Sequence, residues 1–159
     1  MSSPKKQFGA IPFRIQAGCV EVLLVTASHS GKWQFPKGMR EPGLSKRESA
    51  EQEALEEAGV IGLAYPEAVG SYHHQKADGR LFEVVLFAMP VLDILDEADW
   101  EEGRLRRRQW VALDAAKYWI SNKELRACIK GFRQWLKTQT LLMTCIDENA
   151  GNRKEWRGV

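Results

Sequence analysis

The chain has 159 residues, of which 44% are hydrophobic and 28% charged, a balance typical of one globular domain that excludes collagen-like, coiled-coil and wholly disordered proteins. Its 23 basic and 21 acidic residues give a formal net charge of +2, so the total charge does not point to a nucleic-acid partner. The charge is unevenly placed, because residues 41–57 carry a net charge of −4 and the rest of the chain therefore carries +6.

Three cysteines without a C-x-x-C pair predict neither a disulfide framework nor a zinc site, and they favour a reducing, cytoplasmic location. The longest strongly apolar stretch, residues 81–92, contains a glutamate and a proline and is too short to span a bilayer. Polar residues and Pro12 interrupt any signal-like apolar run near the start of the sequence. We therefore expect no membrane partner.

The first predicted elements are a buried strand over residues 20–25, rich in branched side chains, and a short extended piece over residues 33–35. A helix with marked ends follows, because Ser45 and Glu48 fit a capping box and Gly59 suits a C-terminal stop. Small residues repeat every four positions along this helix: Ala50, Ala54 and Ala58. Such a stripe favours close packing against a sheet.

Residues 77–80 (Ala-Asp-Gly-Arg) predict a turn between two antiparallel strands, the second over residues 81–89. Another strand is predicted over residues 110–113. A last helix is predicted to start at Ser121, with Glu124 completing a second capping box. Its apolar residues recur at helical spacing and predict a core-facing side: Leu125, Cys128, Ile129, Phe132, Trp135 and Leu136.

Three glutamates of the first helix stand at i, i+3 and i+4 and therefore share one face: Glu53, Glu56 and Glu57. Like charges at this spacing repel by about 0.2–0.5 kcal/mol per pair, and hard cations such as Mg²⁺ or Mn²⁺ relieve the repulsion because they prefer oxygen ligands. Lys37 and Arg40 stand just upstream. Carboxylates, a metal ion and cations together indicate phosphoryl chemistry; for the glutamates alone, a solvated acidic helix face is the alternative.

The stretch 33–60 resembles the signature of the Nudix hydrolase family, G-x5-E-x7-R-E-U-x-E-E-x-G-U, in which U is aliphatic. Counting from Gly38, five later positions match: Glu53, Glu56, Glu57, Gly59 and Val60. Ala54 occupies the first aliphatic position, and the approach over residues 35–38 (Phe-Pro-Lys-Gly) is also similar to the family. The resemblance extends over residues 11–136.

This resemblance implies an α+β fold, a Nudix-type α/β/α sandwich with a mixed central sheet. We expect one domain over residues 1–146, followed by a polar C-terminal tail over residues 147–159. The resemblance also implies that Glu53, Glu56 and Glu57, with the Gly38 carbonyl, bind Mg²⁺ or Mn²⁺. The same three glutamates are the predicted catalytic residues, one of which would remove a proton from the water that attacks a diphosphate phosphorus. An outside carboxylate, from Glu101 or Glu102, is the alternative base; otherwise these two belong to a solvated acidic loop.

Two positions depart from the family signature. Leu44 replaces its first glutamate and Gln52 its arginine. The resemblance implies that this arginine holds a glutamate by a salt bridge, whereas Gln52 offers only neutral hydrogen bonds. A partly exposed ion pair is worth about 0–1 kcal/mol, so we expect its loss to slow the reaction by less than about tenfold. Glu41 either supplies the missing carboxylate or is an ordinary loop acid.

Within the family, several local features look most like the diadenosine polyphosphate and diphosphoinositol polyphosphate hydrolases. They are residues 23–28, Lys32-Trp33, residues 36–38, residues 56–60, and the Trp100-Glu-Glu segment leading to Trp110. The expected partner is accordingly a small phosphorylated molecule, bound by Arg14, Lys32, Lys37 and Arg40. A cluster of arginines either adds to this set or pairs with the acids of residues 93–102: Arg104, Arg106, Arg107 and Arg108.

Other residues carry open alternatives. Tyr72, Phe82 and Trp100 either stack on a base or belong to the core. His73 and His74 are adjacent and, on a strand, point to opposite faces, so they cannot easily chelate one ion, although one of them could contact a phosphate. Two further functions remain open: a degenerate Nudix domain that binds a nucleotide or phosphometabolite without efficient hydrolysis, and an RNA 5′-pyrophosphohydrolase with the arginine cluster as its footprint. The sequence predicts no oligomeric state.

Overall fold

The computed structural model describes residues 3–150, with side chains described over residues 3–139. The strands are β1 (Lys5–Gln16), β2 (Cys19–Thr26), β3 (Trp33–Gln34), β4 (Lys37–Met39), β5 (Val60–Gly62), β6 (Ala68–Gln75), β7 (Leu81–Ile94) and β8 (Arg108–Ala112). The helices are α1 (Lys46–Ala58), α2 (Leu113–Ala116) and α3 (Lys123–Ala150). The predicted strands over 20–25, 33–35, 81–89 and 110–113 are thereby confirmed, with small shifts at their ends.

Strand β1 organises a mixed sheet. It runs parallel to β7 along one edge, whereas β2 and β4 both pair antiparallel with its other edge. The sheet continues from β2 to β3 and β8, and from β7 to β5 and β6. The β6–β7 pair is antiparallel and is joined by the predicted turn at 77–80. The mixed central sheet expected from the resemblance is confirmed.

Alternate side chains of the sheet enter two separate apolar clusters. On β2, Val22 and Leu24 face one cluster and Leu23 and Val25 the other, as the period of two in a strand requires. The first cluster contains the apolar side of α3, starting at Leu125, and the second contains the alanine stripe of α1. The sheet therefore lies between α1 on one face and α2 with α3 on the other, which confirms the predicted sandwich.

Helix α1 has the predicted ends. The Ser45 hydroxyl accepts from the Glu48 N–H at 3.2 Å, and the Glu48 carboxylate accepts from the Ser45 N–H at 2.9 Å. Gly59 ends the helix at φ +66°, and its N–H donates to the Leu55 carbonyl at 3.1 Å. The left-handed backbone at this position favours glycine over every L side chain.

The second predicted capping box is wrong. Helix α3 begins at Lys123, and the side chain that caps it is Asn122, whose Oδ1 accepts from the Leu125 N–H at 3.0 Å. The Glu124 carboxylate accepts instead from the His73 N–H at 2.7 Å, which ties α3 to β6. A tertiary hydrogen bond thus takes the carboxylate that the local pattern assigned to the helix end.

Helix α3 extends to Ala150, past residue 147, where the polar tail is predicted to begin, and residues 151–159 lie outside the described part of the chain. The division of the chain at residue 146 stays a prediction. Cys19 is exposed and Cys128 buried, and both are free thiols; Cys145 lies beyond the described side chains. No helix within residues 3–150 is long and apolar enough to cross a membrane.

Replacement of Gly59 by alanine is expected to destabilise the fold. A Cβ at residue 59 would lie 2.5 Å from Arg108 Nη1 and 2.8 Å from Trp100 Cγ. The left-handed backbone alone costs about 1–2 kcal/mol, and this overlap adds to it. Gly79→Ala is the matched control, because Gly79 has φ +89° and open space around its would-be Cβ. Urea unfolding should show a larger loss for G59A than for G79A; equal losses would contradict the packing argument.

Candidate active site

The acidic face of α1 reaches strand β4 at a position where only glycine fits. A Cβ on Gly38 would overlap the Glu53 carboxylate, so the absence of a side chain lets that carboxylate lie against the β4 backbone. Gly38 and Glu53 are both signature positions, and the structure brings them into direct contact. The space that a Cβ would fill is therefore used by a potential oxygen ligand.

Three carboxylates converge at this point. Glu41, Glu53 and Glu56 each offer an oxygen, and these oxygens lie within 4.8 Å of one another. The loop that carries Glu41 is held to α1 by a hydrogen bond from the Glu41 N–H to the buried Ser49 hydroxyl, at 2.9 Å. The structure thus places Glu41 beside two signature glutamates, where it can serve in place of the carboxylate absent at Leu44.

Glu57 is held apart from this cluster by its own partners. Its Oε1 accepts from the Lys37 N–H at 3.2 Å, and its Oε2 lies 3.4 Å from Arg106 Nη2. Arg106 also contacts Glu102 at 3.0 Å and donates to the Thr26 carbonyl at 2.9 Å, and only 9% of its side chain is exposed. The structure thus fixes the orientation of Glu57, whose role as a metal ligand stays a prediction.

Gln52, at the arginine position of the signature, donates from Nε2 to Glu56 Oε1 at 2.9 Å. This is the neutral hydrogen bond expected from the sequence. The Trp100 indole N–H donates to the Glu56 carbonyl at 2.9 Å, so both ends of this residue are held. In place of the signature arginine, Gln52 thus holds Glu56 by a weaker, neutral bond. A different residue, Arg106, pairs with Glu57.

The electrostatics of the site favour an added positive charge. Burial foremost, and then the neighbouring carboxylates with Glu57 first among them, raise the pKa of Glu53 to about 8. Burial also raises the pKa of Glu57, against the opposing effect of Arg106. The pKa of Lys37 is lowered by burial. The site thus offers oxygen ligands whose negative charge the neighbouring cations do not fully balance. Such a site suits a divalent cation of the Mg²⁺ or Mn²⁺ kind.

A cavity of about 1030 Å³ opens beside the carboxylates, and Glu53 and Glu57 form part of its wall. Basic side chains line it: Lys32, Lys37, Lys76, Arg80 and Arg106. Of the four cations predicted to bind substrate, Lys32 and Lys37 therefore lie on the cavity. Arg14 instead pairs with Glu21 at 2.8 Å and stacks over Trp110, and Arg40 donates to the Leu44 carbonyl at 3.0 Å. Neither of these two lines the cavity.

Lys76 and Arg80, at the turn between β6 and β7, line the cavity but were not predicted from the sequence to bind substrate. The predicted turn at 77–80 is the sequence signal that could have placed them there. The two histidines have different neighbours, because His73 bonds to Glu124 at the start of α3 whereas His74 lines the cavity. The three aromatic candidates are buried, as expected if they belong to the core: Tyr72, Phe82 and Trp100. Of these, Tyr72 also lines the cavity.

The arginine cluster divides between the two alternatives considered from the sequence. Arg106 pairs with the acid Glu102 and also lines the cavity. Arg108 stacks over Trp100 and donates to the Ala58 carbonyl at 2.9 Å, so it stabilises the end of α1. Arg104 and Arg107 are exposed.

Comparisons with known proteins agree with this geometry. A family model described as the NUDIX domain matches residues 4–136. Nudix hydrolase 4 of Arabidopsis thaliana is 31% identical over 155 residues, covering 91% of this chain and 70% of the relative. Nudix hydrolase 21, chloroplastic, of the same plant is 32% identical over 134 residues, covering 78% of this chain and 64% of the relative.

Two solved structures share the fold. The C. elegans Ap4A hydrolase superposes with a TM-score of 0.70 at 21% identity, covering 84% of this chain and 99% of that one. A UDP-X diphosphatase superposes with a TM-score of 0.62 at 18% identity, covering 87% of this chain and 66% of that one. At these identities the likeness concerns the fold alone.

The stability of the metal-free protein is expected to fall as the pH rises from about 5 to about 8. The folded protein keeps a proton on Glu53 up to about pH 8, whereas the unfolded chain releases it near the ordinary value of 4.5, so the folded state binds more protons over this interval. Urea unfolding in EDTA at several pH values measures the slope. Added Mg²⁺ at constant ionic strength should stabilise the protein more at pH 8 than at pH 5.

Glu53→Gln should reduce that slope, because it removes one of the two carboxyl groups whose pKa burial raises. Glu67→Gln, at an exposed glutamate outside the cluster, should keep the slope of the unaltered protein. The same slope in E53Q as in the unaltered protein would refute the assignment of the pH dependence to Glu53.

Proposed function

The chain belongs to the Nudix hydrolase family and is a pyrophosphohydrolase acting on phosphorus-containing acid anhydrides, and from this premise we propose that it cleaves a diphosphate linkage with the help of Mg²⁺ or Mn²⁺. The proposed substrate is a diadenosine polyphosphate, a diphosphoinositol polyphosphate or a related nucleoside diphosphate linked to a group X. The observation that carries the proposal is the meeting of the Glu41, Glu53 and Glu56 carboxylates beside a cavity lined with cations.

The residues present fit a divalent cation. Glu53 and Glu56 supply carboxylate oxygens at ligand spacing, Glu41 adds a third, and the Gly38 backbone lies against Glu53. We propose that these residues, with Glu57 next to them on α1, hold the ion. A bound Mg²⁺ or Mn²⁺ supplies positive charge to the diphosphate and makes a water molecule more acidic.

The protein's own groups then divide the remaining work. We propose that one of Glu53, Glu56 and Glu57 accepts a proton from the attacking water. The water oxygen attacks phosphorus on the side opposite the leaving phosphate. Glu102 stays the alternative base; like Glu57, it is paired with Arg106, at 3.0 Å. Arg106 keeps Glu57 in one orientation, so the carboxylate needs no rearrangement when the substrate arrives.

The cations of the cavity are proposed to bind the phosphates that do not react. We propose Lys32 and Lys37 for this role, since they are the two sequence-predicted cations that line the cavity, and we propose Lys76 and Arg80 in place of Arg14 and Arg40, although Arg80 also pairs with Asp78 at 2.8 Å. A cavity of about 1030 Å³ lies at the upper end of the range for small-molecule sites, which suits a substrate as large as a polyphosphate with two end groups.

The other functions left open by the sequence are less well supported. Leu44 and Gln52 suggested a domain that binds without hydrolysis, yet Glu41 lies beside the signature glutamates and Gln52 still bonds to Glu56. An RNA substrate would need the arginine cluster as its footprint, but Arg106 and Arg108 are committed to contacts within the protein. A cytoplasmic location also stays a proposal, since relatives include proteins named as chloroplastic and mitochondrial.

A panel of substrates tests the proposed function. The protein is incubated with Mg²⁺ and diadenosine polyphosphates, ADP-sugars, nucleoside triphosphates, diphosphoinositol polyphosphates or 5′-triphosphorylated RNA, and the products are separated by chromatography. Glu53→Gln and Glu57→Gln should each lower turnover by at least about 10²- to 10⁴-fold, the usual worth of general base catalysis. Glu67→Gln serves as the matched control with unchanged turnover.

Near-normal turnover in both E53Q and E57Q would refute the assignment of the catalytic glutamates. No product from any substrate would favour the binding module. Hydrolysis of RNA alone, weakening steeply with salt, would favour the RNA pyrophosphohydrolase, because phosphate contacts release counterions.

Changes at Gln52 and at Arg106, which hold the signature glutamates Glu56 and Glu57, should lower kcat/KM by different amounts. Gln52→Ala removes one neutral hydrogen bond to Glu56 and should lower kcat/KM by less than about tenfold. Arg106→Lys keeps the charge but loses the fork that joins Glu57, Glu102 and Thr26, and should lower kcat/KM by about 10- to 100-fold. Steady-state kinetics measures both, and melting temperatures show that both variants are folded. A larger loss in Q52A than in R106K would reverse this order and contradict it.

A further inference from the structure

Two buried polar atoms of the cavity wall have no hydrogen-bond partner within the described residues. They are Oε1 of Gln7 and the hydroxyl of Tyr72, on side chains that are 5% and 2% exposed. Buried polar groups are nearly always paired in native proteins, because an unpaired one loses its bonds to water without replacement. A third such atom, Nε1 of Trp110, does not line the cavity. The two cavity atoms therefore call for a partner from outside the described residues, either a ligand or an ordered water.

The sheet register places these two side chains in one row. Gln7 on β1 pairs with Val84 on β7, and Val84 pairs in turn with Tyr72 on β6. Directly paired residues of neighbouring strands point to the same face, so Gln7 and Tyr72 flank Val84 on the face that carries α3. Two strand spacings separate their backbones, about 9.5 Å. We refer to these two side chains, which share a face of the sheet and line the cavity, as its polar floor.

Packing explains the ring of Tyr72 but not its hydroxyl. The ring belongs to the apolar cluster between the sheet and α3, a place that phenylalanine would fill equally well. The same holds for Gln7, whose neighbours along the alternate positions of β1, Gly9 and Ile11, are apolar. The polar atoms therefore add a cost to folding that only a ligand or an ordered water can offset.

The floor offers neutral hydrogen-bonding groups, unlike the cations near it. The Gln7 Oε1 accepts a hydrogen bond, and the Tyr72 hydroxyl can both donate and accept. His74, two residues from Tyr72 on the same face, adds a ring whose pKa is lowered by burial, with Lys37 and Lys76 contributing. Phosphate oxygens only accept hydrogen bonds, so they cannot pair with Oε1 of Gln7, which is the unpaired atom of that side chain. Alcohol groups donate and accept, so they match the floor at both atoms.

We propose that Gln7 and Tyr72 form a subsite for the hydroxyl groups of X, and that X is accordingly a sugar or another polyol. This inference rests on the proposed function, since it takes the cavity as the substrate site. The cations hold the phosphates, and the floor selects the hydroxyl-bearing group attached to them. Neither Gln7 nor Tyr72 takes part in bond cleavage, so the subsite affects binding and specificity rather than the chemical step.

Tyr72→Phe tests the subsite, because it removes the hydroxyl and keeps the ring. KM for ADP-ribose, or for the hydroxyl-bearing substrate of the panel that is cleaved fastest, should rise about 2- to 12-fold while kcat stays nearly unchanged. For methyl diphosphate, which carries no hydroxyl group on its organic part, kcat/KM should not change. Gln7→Met should behave likewise, and Tyr65→Phe, outside the cavity, is the matched control.

The stability of the free variant separates a ligand subsite from a structural role. Y72F should melt at the same temperature as the unaltered protein or higher, because it removes an unpaired hydroxyl. A clear loss of stability would mean that the hydroxyl serves the fold, and an equal change in kcat/KM for methyl diphosphate would mean that the effect does not concern X. Either result overturns the proposal, as would an unchanged KM for every hydroxyl-bearing substrate, in which case ordered water pairs the two atoms.

Calorimetric binding of the same hydroxyl-bearing ligands in EDTA distinguishes failure of the subsite from failure of the proposed function. If the unaltered protein cleaves nothing but binds such a ligand more tightly than Y72F does, the subsite stands and the proposed hydrolysis fails. If substrates are cleaved and bind Y72F equally well, the hydrolysis stands and the subsite fails. If no hydroxyl-bearing ligand binds the unaltered protein, the subsite is refuted.

Discussion

The close packing of α1 on the sheet is the constraint on which the site depends. Ala50, Ala54 and Ala58 are fully buried, so methyl groups alone set the distance between the helix and the strands. At that distance the Glu53 carboxylate meets the β4 backbone, and only Gly38 leaves room for it. A bulkier stripe on α1 would move every carboxylate of the helix away from β4 at once. The packing of the alanine stripe against the sheet therefore determines where the carboxylates of α1 lie.

Once these carboxylates are gathered, the protein neutralises them unequally. Arg106 pairs with Glu57, and Gln52 holds Glu56 by a neutral bond. Glu53, for which the described residues offer no ion pair, has the strongly raised pKa. The +6 charge outside residues 41–57 is thus only partly available to a substrate, because several arginines are used to hold the fold and the site together. What remains on the cavity is mostly lysine.

Local patterns could be predicted from the sequence, and tertiary ones could not. The caps of α1, its alanine stripe and the shared face of its glutamates follow from spacings of three and four residues. Strand β1 was missed because it is buried on both faces, which removes the alternation that marks a strand, and because Pro12 interrupts it. Whether Glu124 caps a helix or bonds to His73 depends on a strand 51 residues away. The unpaired atoms of the cavity floor likewise depend on sheet register.

The three residues of β4 connect the two faces of the sheet at the site. Lys37 pairs with Gly9, whose would-be Cβ points to Leu86 of the cluster beneath α3, so the Lys37 side chain lies on the same face as the polar floor. Gly38, the next residue, faces α1 and Glu53 because successive strand residues alternate. A diphosphate placed between these two residues would therefore have its reacting phosphorus toward α1. The rest of the molecule would then extend over β1 and β7, toward the side of the sheet on which Gln7 and Tyr72 lie.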